Sequence, residues 1–206
     1  IPIALAAGHA DAVPNDHRCC FGQVGPRGNA VASETTRTAD VILALGTRLA
    51  FNTTFYTYND IARAAQMVQV DLEPDAIGRY FPVAIGSVGD CGAFAAALGR
   101  ELADFKAPTG WSDRLKSFAS ARDALWRERD EKGAATRTPF SAETVFREVR
   151  SVLPRNAIVT LDAGTMCLQA TDQLRYMTVP GLITPLDFGL VGFSYAAGLG
   201  AKAAAP

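Results

Sequence analysis

No block of basic residues occurs in this sequence, its only histidines are His9 and His17, and no apolar run approaches the roughly 20 residues that span a bilayer. Each absence excludes something. Lysine and arginine number 20 against 21 acidic residues, a formal charge of −1, so the basic excess that neutralises a nucleic-acid backbone is missing. Neither nucleic acid nor a membrane is expected as a partner. There is no Gly-x-Ser-x-Gly elbow, no Walker loop and no His-Glu-x-x-His pair, which leaves hydrolase and kinase readings without support. The cysteines, Cys19, Cys20, Cys91 and Cys167, form no Cys-x-x-Cys pair and no ligand spacing with the histidines. They read as reduced structural thiols of a cytoplasmic protein, since a chain of 206 residues has no need of disulfide staples. His9 and His17 have only Asp11 and Asp16 nearby in a loop and receive no acid–base role. The first residue is Ile, and residues 1–7 lack the charged start of a secretory signal, which reads as a start inside a longer chain.

What is present is a soluble, apolar-rich composition, 49% hydrophobic, long enough for one large domain or two modest ones. Short β-branched and aliphatic runs alternate with longer helical patterns, the signature of an α/β fold with an open parallel sheet flanked by helices. Strands are expected at residues 1–7, 41–45 (buried), 67–71, 83–86 and 157–161. Helices are expected at 29–38 and 91–102, over 111–132 with Gly133 as its stop, and from Ser141 as N-cap to about 152. Residues 1–104 thus form a first α/β domain. Residues 105–139 form a linker with an amphipathic helix, its end at 134–139 polar, and residues 140–206 begin a second α/β domain. The Gly/Ala-rich stretch at 188–206 offers so small a helix surface that close packing against a neighbour is expected.

Gly22, Gly25 and Gly28, with Arg27, lie in a loop that leads into a helix, where free amides and the positive helix end suit phosphate. The spacing is Gly-x-x-Gly-x-x-Gly, which does not fit the nicotinamide-dehydrogenase fingerprint. A tight, capped loop would explain the same residues. Arg48 and Asp71, at the carboxyl ends of successive strands, sit where a nucleotide's phosphate and ribose would lie. A free-standing module for ADP, FAD or coenzyme A is therefore one reading.

Taken in order, residues 22–29, the run Ala39-Asp40-Val41-Ile42-Leu43-Ala44-Leu45-Gly46-Thr47-Arg48-Leu49, Val68-Gln69-Val70-Asp71-Leu72-Glu73-Pro74 and Gly89-Asp90 resemble the central domain of thiamine-diphosphate enzymes of the acetolactate synthase type. Residues 157–166 and 188–206 are similar to the opening of that family's diphosphate-binding domain. The resemblance implies a Rossmann-like central domain that lacks its first strand and helix, and a parent enzyme that decarboxylates 2-keto acids or joins an acyl unit to a second carbonyl. It also implies that Gly164, Thr165 and Met166 contact the cofactor diphosphate and that Gly189, Leu190 and Val191 lie beneath the aminopyrimidine ring. There the Gly189 carbonyl would accept from the 4′-amino group, the Val191 amide would meet a ring nitrogen, and the Val191 side chain would hold the cofactor bent.

Arg48 is followed by Leu49-Ala50-Phe51-Asn52 rather than the charged residues that help hold FAD, so the resemblance does not carry FAD over. Gly25, Arg27, Gly28, Arg48, Asp71 and Asp90 remain the nucleotide candidates. The family's catalytic glutamate and the Gly-Asp-Gly and Asn that bind Mg²⁺ match nothing here, so no catalytic or metal residue is assigned. The missing parts of the parent polypeptide would be the first partner, a homodimer or homotetramer the expected assembly, and the isolated chain inactive.

Overall fold

The computed structural model describes residues 1–135 and 138–206; Thr136 and Arg137, in the polar end of the expected linker, lie outside the described residues. Parallel pairing runs throughout, as the alternation of strands and helices requires. Strand β1 (Ile3–Leu5) pairs with β2 (Cys20–Gln23), β3 (Val41–Leu45) with β4 (Gln66–Asp71), β4 with β5 (Ile85–Val88), and β6 (Val159–Thr160) with β7 (Leu182–Ile183). The hydrogen bonds divide these strands into sheets of two, three and two, the first two sheets within residues 1–104 and the last within residues 140–206. β3 and β4 stay in register along their length, whereas the β1/β2 ladder slips between Ile3 and Leu5.

Several expected elements are present with shifted ends. The first strand is shorter than 1–7, the one expected at 83–86 lies two residues later, and 157–161 contracts to β6. β2, read only as part of a glycine loop, is a strand. β3 is buried on one face only: Ile42 and Ala44 enter the core while Val41, Leu43 and Leu45 face outward, so period-2 alternation outweighs an all-apolar composition.

Helix α1 (Ala30–Arg37) begins where Asn29 accepts from the Ala32 amide. The short α2 (Phe51–Thr54) follows β3, and α3 (Cys91–Glu101) is capped by Asp90. α4 (Trp111–Ala134) runs past Gly133, which is no stop: a Cβ there would lie 2.8 Å from the Glu143 carbonyl oxygen, so glycine lets α4 and α5 (Ala142–Val152) approach closely. Ser141 caps α5 as expected, through the Thr144 amide. α6 (Thr165–Gln173) and β7 escaped sequence reading. α7 (Phe193–Ala204) packs closely at Gly198, which lies against the Thr160 hydroxyl, while Tyr195 and Leu199 are exposed. Among the described residues no helix is long and apolar enough to cross a membrane.

The cores do not follow the order of the chain. Ile42, Ala44, Leu49, Ile61, Met67 and Phe81 fill one, and Phe21, Val24, Ala32 and Phe118 bring α4 onto β2 and α1. Arg122 of α4 reaches in to donate to the His17 and Cys20 carbonyls while its guanidinium lies over Phe21 and Trp126. The third core joins Ala7 and Ala10 to Phe146, Leu161, Cys167, Leu174, Tyr176 and Leu182. Polar bonds reinforce this junction: Asp11 accepts from the Gly181 and Leu182 amides, and Asn15 exchanges hydrogen bonds with the Tyr176 backbone. Residues on both sides of α4 and α5 thus share one interior.

Candidate functional site

The carboxyl end of β6 turns sharply at Gly164, whose φ of 133° and ψ of −179° are open to glycine alone among common residues. α6 starts immediately after it with no side-chain cap, so its first-turn amides and the positive end of its dipole face outward beside an exposed Thr165 and Met166. That donor set suits an anion.

The second glycine segment is brought to the same place. The Ala163 amide donates to the Leu190 carbonyl at 2.9 Å, and Asp162 accepts from the Gly192 amide at 2.9 Å and the Ser194 amide at 2.6 Å. Asp162 therefore caps α7 from across the cradle, leaving α6 as the helix with its N-terminus unfilled. Gly189 (φ 71°) and Gly192 (φ 88°) both turn left-handed, and Phe188 and Val191 are exposed between them. The structure gathers Gly164, Thr165, Met166, Gly189, Leu190 and Val191 into one open cradle. Asp162, which sequence reading placed in the loop without a role, organises it; an acidic residue ending a strand was the available signal.

Hydrogen bonds from the Ser194 and Gly192 amides hold the Asp162 carboxyl below the usual carboxylate range. A lowered folded value means that this anchor is complete above the ordinary aspartate range and is lost as pH falls through the lowered value. The Gly192 and Ser194 amide resonances should therefore stay fixed from pH 7 to about 4, a normal aspartate value, and shift only below it. A midpoint at or above 4 would refute the anchor.

The nucleotide candidates are scattered. The Gly25 amide donates to Ser33 Oγ, and the Gly28 amide to the Gly25 carbonyl, so neither is free for phosphate. Both glycines serve close packing: a Cβ on Gly25 would lie 1.7 Å from the Thr53 carbonyl oxygen, and one on Gly28 1.9 Å from that of Gln23. The Arg27 guanidinium lies over Phe51 and Phe55. Asp71 accepts from the Glu73 amide, and Asp90 caps α3 through the Ala93 amide. Only Arg48 approaches the cradle, bonded to Asp187 beside a cleft of about 90 Å³ that includes His9, Thr47 and Asn52. Among the described residues no group of three or more His, Cys, Asp or Glu side chains is gathered as a metal ion would need.

Residues 1–98 match the family described as thiamine pyrophosphate enzyme, central domain. Those residues belong to the thiamine pyrophosphate enzyme family. Sulfoacetaldehyde acetyltransferase of Roseovarius nubinhibens is 31% identical over 92% of the chain and 35% of that relative's length. The protein of the same name from Rhodobacter capsulatus is 31% identical over the whole chain and 38% of its own length. The acetolactate synthase isozyme 2 large subunit of Escherichia coli is 25% identical over 95% of the chain and 33% of its length. The chain thus spans about a third of the length of these relatives, and the alignments run beyond the central domain into the cradle.

Proposed function

We propose that this chain forms part of a thiamine-diphosphate-dependent acyl transferase or lyase that breaks a bond at a carbonyl carbon or at the carbon next to it and passes on the acyl unit. The observation that carries the reading is the uncapped N-terminus of α6, set beside the glycine loop that Asp162 fixes. The α6 amides and the Thr165 hydroxyl would hold the diphosphate, and the Gly189 carbonyl and Val191 amide would meet the aminopyrimidine edge. When bound, the cofactor supplies an electron sink for the carbon next to the carbonyl. The identities, 31% to sulfoacetaldehyde acetyltransferases against 25% to an acetolactate synthase subunit, favour a sulfonated aldehyde over a 2-keto acid as donor: its C–S bond would break with loss of sulfite, and the two-carbon unit would leave as an acetyl group on a nucleophilic acceptor. Mg²⁺ ligands and the activating carboxylate would come from outside these residues, in a homodimer or homotetramer of the parent polypeptide.

The first test is calorimetry of this chain with thiamine diphosphate and Mg²⁺. Weak or no binding is expected, because the chain offers one wall of the cradle; micromolar affinity would show that no outside ligands are needed. The full-length protein with cofactor and Mg²⁺ should consume sulfoacetaldehyde faster than pyruvate. The reverse preference would return the reading to the acetolactate synthase type.

A further inference from the structure

We propose that Arg48 and Asn52 are positioning residues that set the glycine loop of the cradle by gripping Asp187, the residue just before Phe188 and Gly189. Arg48 Nη2 lies 3.3 Å from one Asp187 carboxylate oxygen and Asn52 Nδ2 donates to the other at 2.9 Å. Both oxygens are thus taken by a segment more than 130 residues earlier in the chain.

The gripping segment is itself held. Leu49 is buried with its backbone left-handed at φ 51°, its carbonyl accepts from the Thr54 hydroxyl at 2.8 Å, and the Thr53 hydroxyl accepts from the Ala7 amide at 3.2 Å. Arg48 and Asn52 therefore project from a fixed platform across the cleft. The glycine loop, by contrast, has little of its own to restrain it. Two left-handed glycines and an exposed Phe188 and Val191 leave it a broad choice of conformations unless it is tied at its ends. Asp162 ties the α7 end and the Ala163–Leu190 bond ties the middle. The Asp187 grip ties the remaining end, where the Phe188 and Gly189 amides turn back onto the Pro185 carbonyl. Arg48, placed by sequence among the nucleotide candidates, becomes the link through which the central domain sets the cofactor loop. The functional meaning of the grip rests on the thiamine-diphosphate reading; its existence does not.

Amide hydrogen exchange on the chain tests the grip without any ligand. An exposed ion pair and one hydrogen bond imply roughly threefold faster exchange at Phe188 and Gly189 in Arg48→Ala and about tenfold in Arg48→Ala/Asn52→Ala. The Gly192 and Ser194 amides and the melting temperature should not change. Exchanging the charges, Arg48→Asp with Asp187→Arg, should restore protection, which a general loosening of the fold would not permit. Unchanged exchange at Phe188 and Gly189 in the double alanine variant would overturn the proposal. In the full-length protein the same variants should weaken apparent thiamine diphosphate affinity at constant melting temperature; unaltered affinity would overturn the positioning role. If the full-length wild type fails to bind thiamine diphosphate, the proposed function falls while the exchange result stands.

Discussion

Gly25→Ala should cost about 4 kcal/mol of stability, because two penalties fall on one methyl group. The backbone sits at φ 95°, a conformation that disfavours any side chain by about 1–2 kcal/mol. The new carbon would also lie 1.7 Å from the Thr53 carbonyl oxygen, a clash that only backbone movement relieves and that adds about 1–3 kcal/mol. Movement there is expensive, since Thr53 also receives the Ala7 amide and the Gly25 amide holds Ser33. For a chain of this size the expected fall in melting temperature is roughly 8–16 °C, measured by circular dichroism. A change under about 2 °C would mean that the loop repacks freely and that close approach is not why glycine stands there.

Arg129→Met should cost about 3 kcal/mol, the penalty for leaving one member of a buried ion pair without its partner. Arg129 of α4 bonds both the side chain and the carbonyl of Asp172 in α6, and Asn29, the cap of α1, donates to the same carboxylate at 3.1 Å. Burial raises the Asp172 pKa even against the attraction of Arg129. With the guanidinium gone, the desolvated carboxylate escapes its cost by taking a proton. A raised folded value means that Asp172 favours the folded state progressively as pH falls through that value toward the unfolded one. The gap between wild-type and Arg129→Met melting temperatures should therefore be wide at pH 8 and narrow toward pH 4. A gap independent of pH would show that lost packing, not the stranded charge, is the cause.

The two segments of the cradle were legible in the sequence through the resemblance to thiamine-diphosphate enzymes, which implies one cofactor for residues 164–166 and 189–191. Gly164, Gly189 and Gly192 could be singled out from their neighbours, and the structure brings their segments together. The Gly22–Gly28 spacing was equally visible but ambiguous: phosphate binding and close packing require the same residue, and only the position of Thr53, some 28 residues away, decides between them. α6 was illegible for another reason. Thr165–Gln173 has enough residues of good helix propensity, but its buried face of Cys167, Ala170 and Thr171 is too small to print a strong apolar stripe. The roles of Asp11, Asp162 and Asp187 could not be read at all, since what each carboxylate accepts from is set by tertiary pairing over 30 to 171 residues of sequence. The parallel α/β class was legible, but the order of strands was not, because alternation of strands and helices specifies direction but not which edges meet.

The bonds from Asp11 to Gly181 and Leu182, and from Asn15 to Tyr176, join residues 161 to 171 positions apart in sequence. On a growing chain, the loop at residues 9–17 has nothing to close against until α6 and β7 have been synthesised. Its buried neighbours Ala7 and Ala10 wait with it, so the β1/β2 pair and the cradle reach their final packing together. Contacts of such long sequence separation pay the largest loop-closure cost before any return, which puts this junction late in folding. The cradle is thus assembled in the same closing step that secures the loop at residues 9–17.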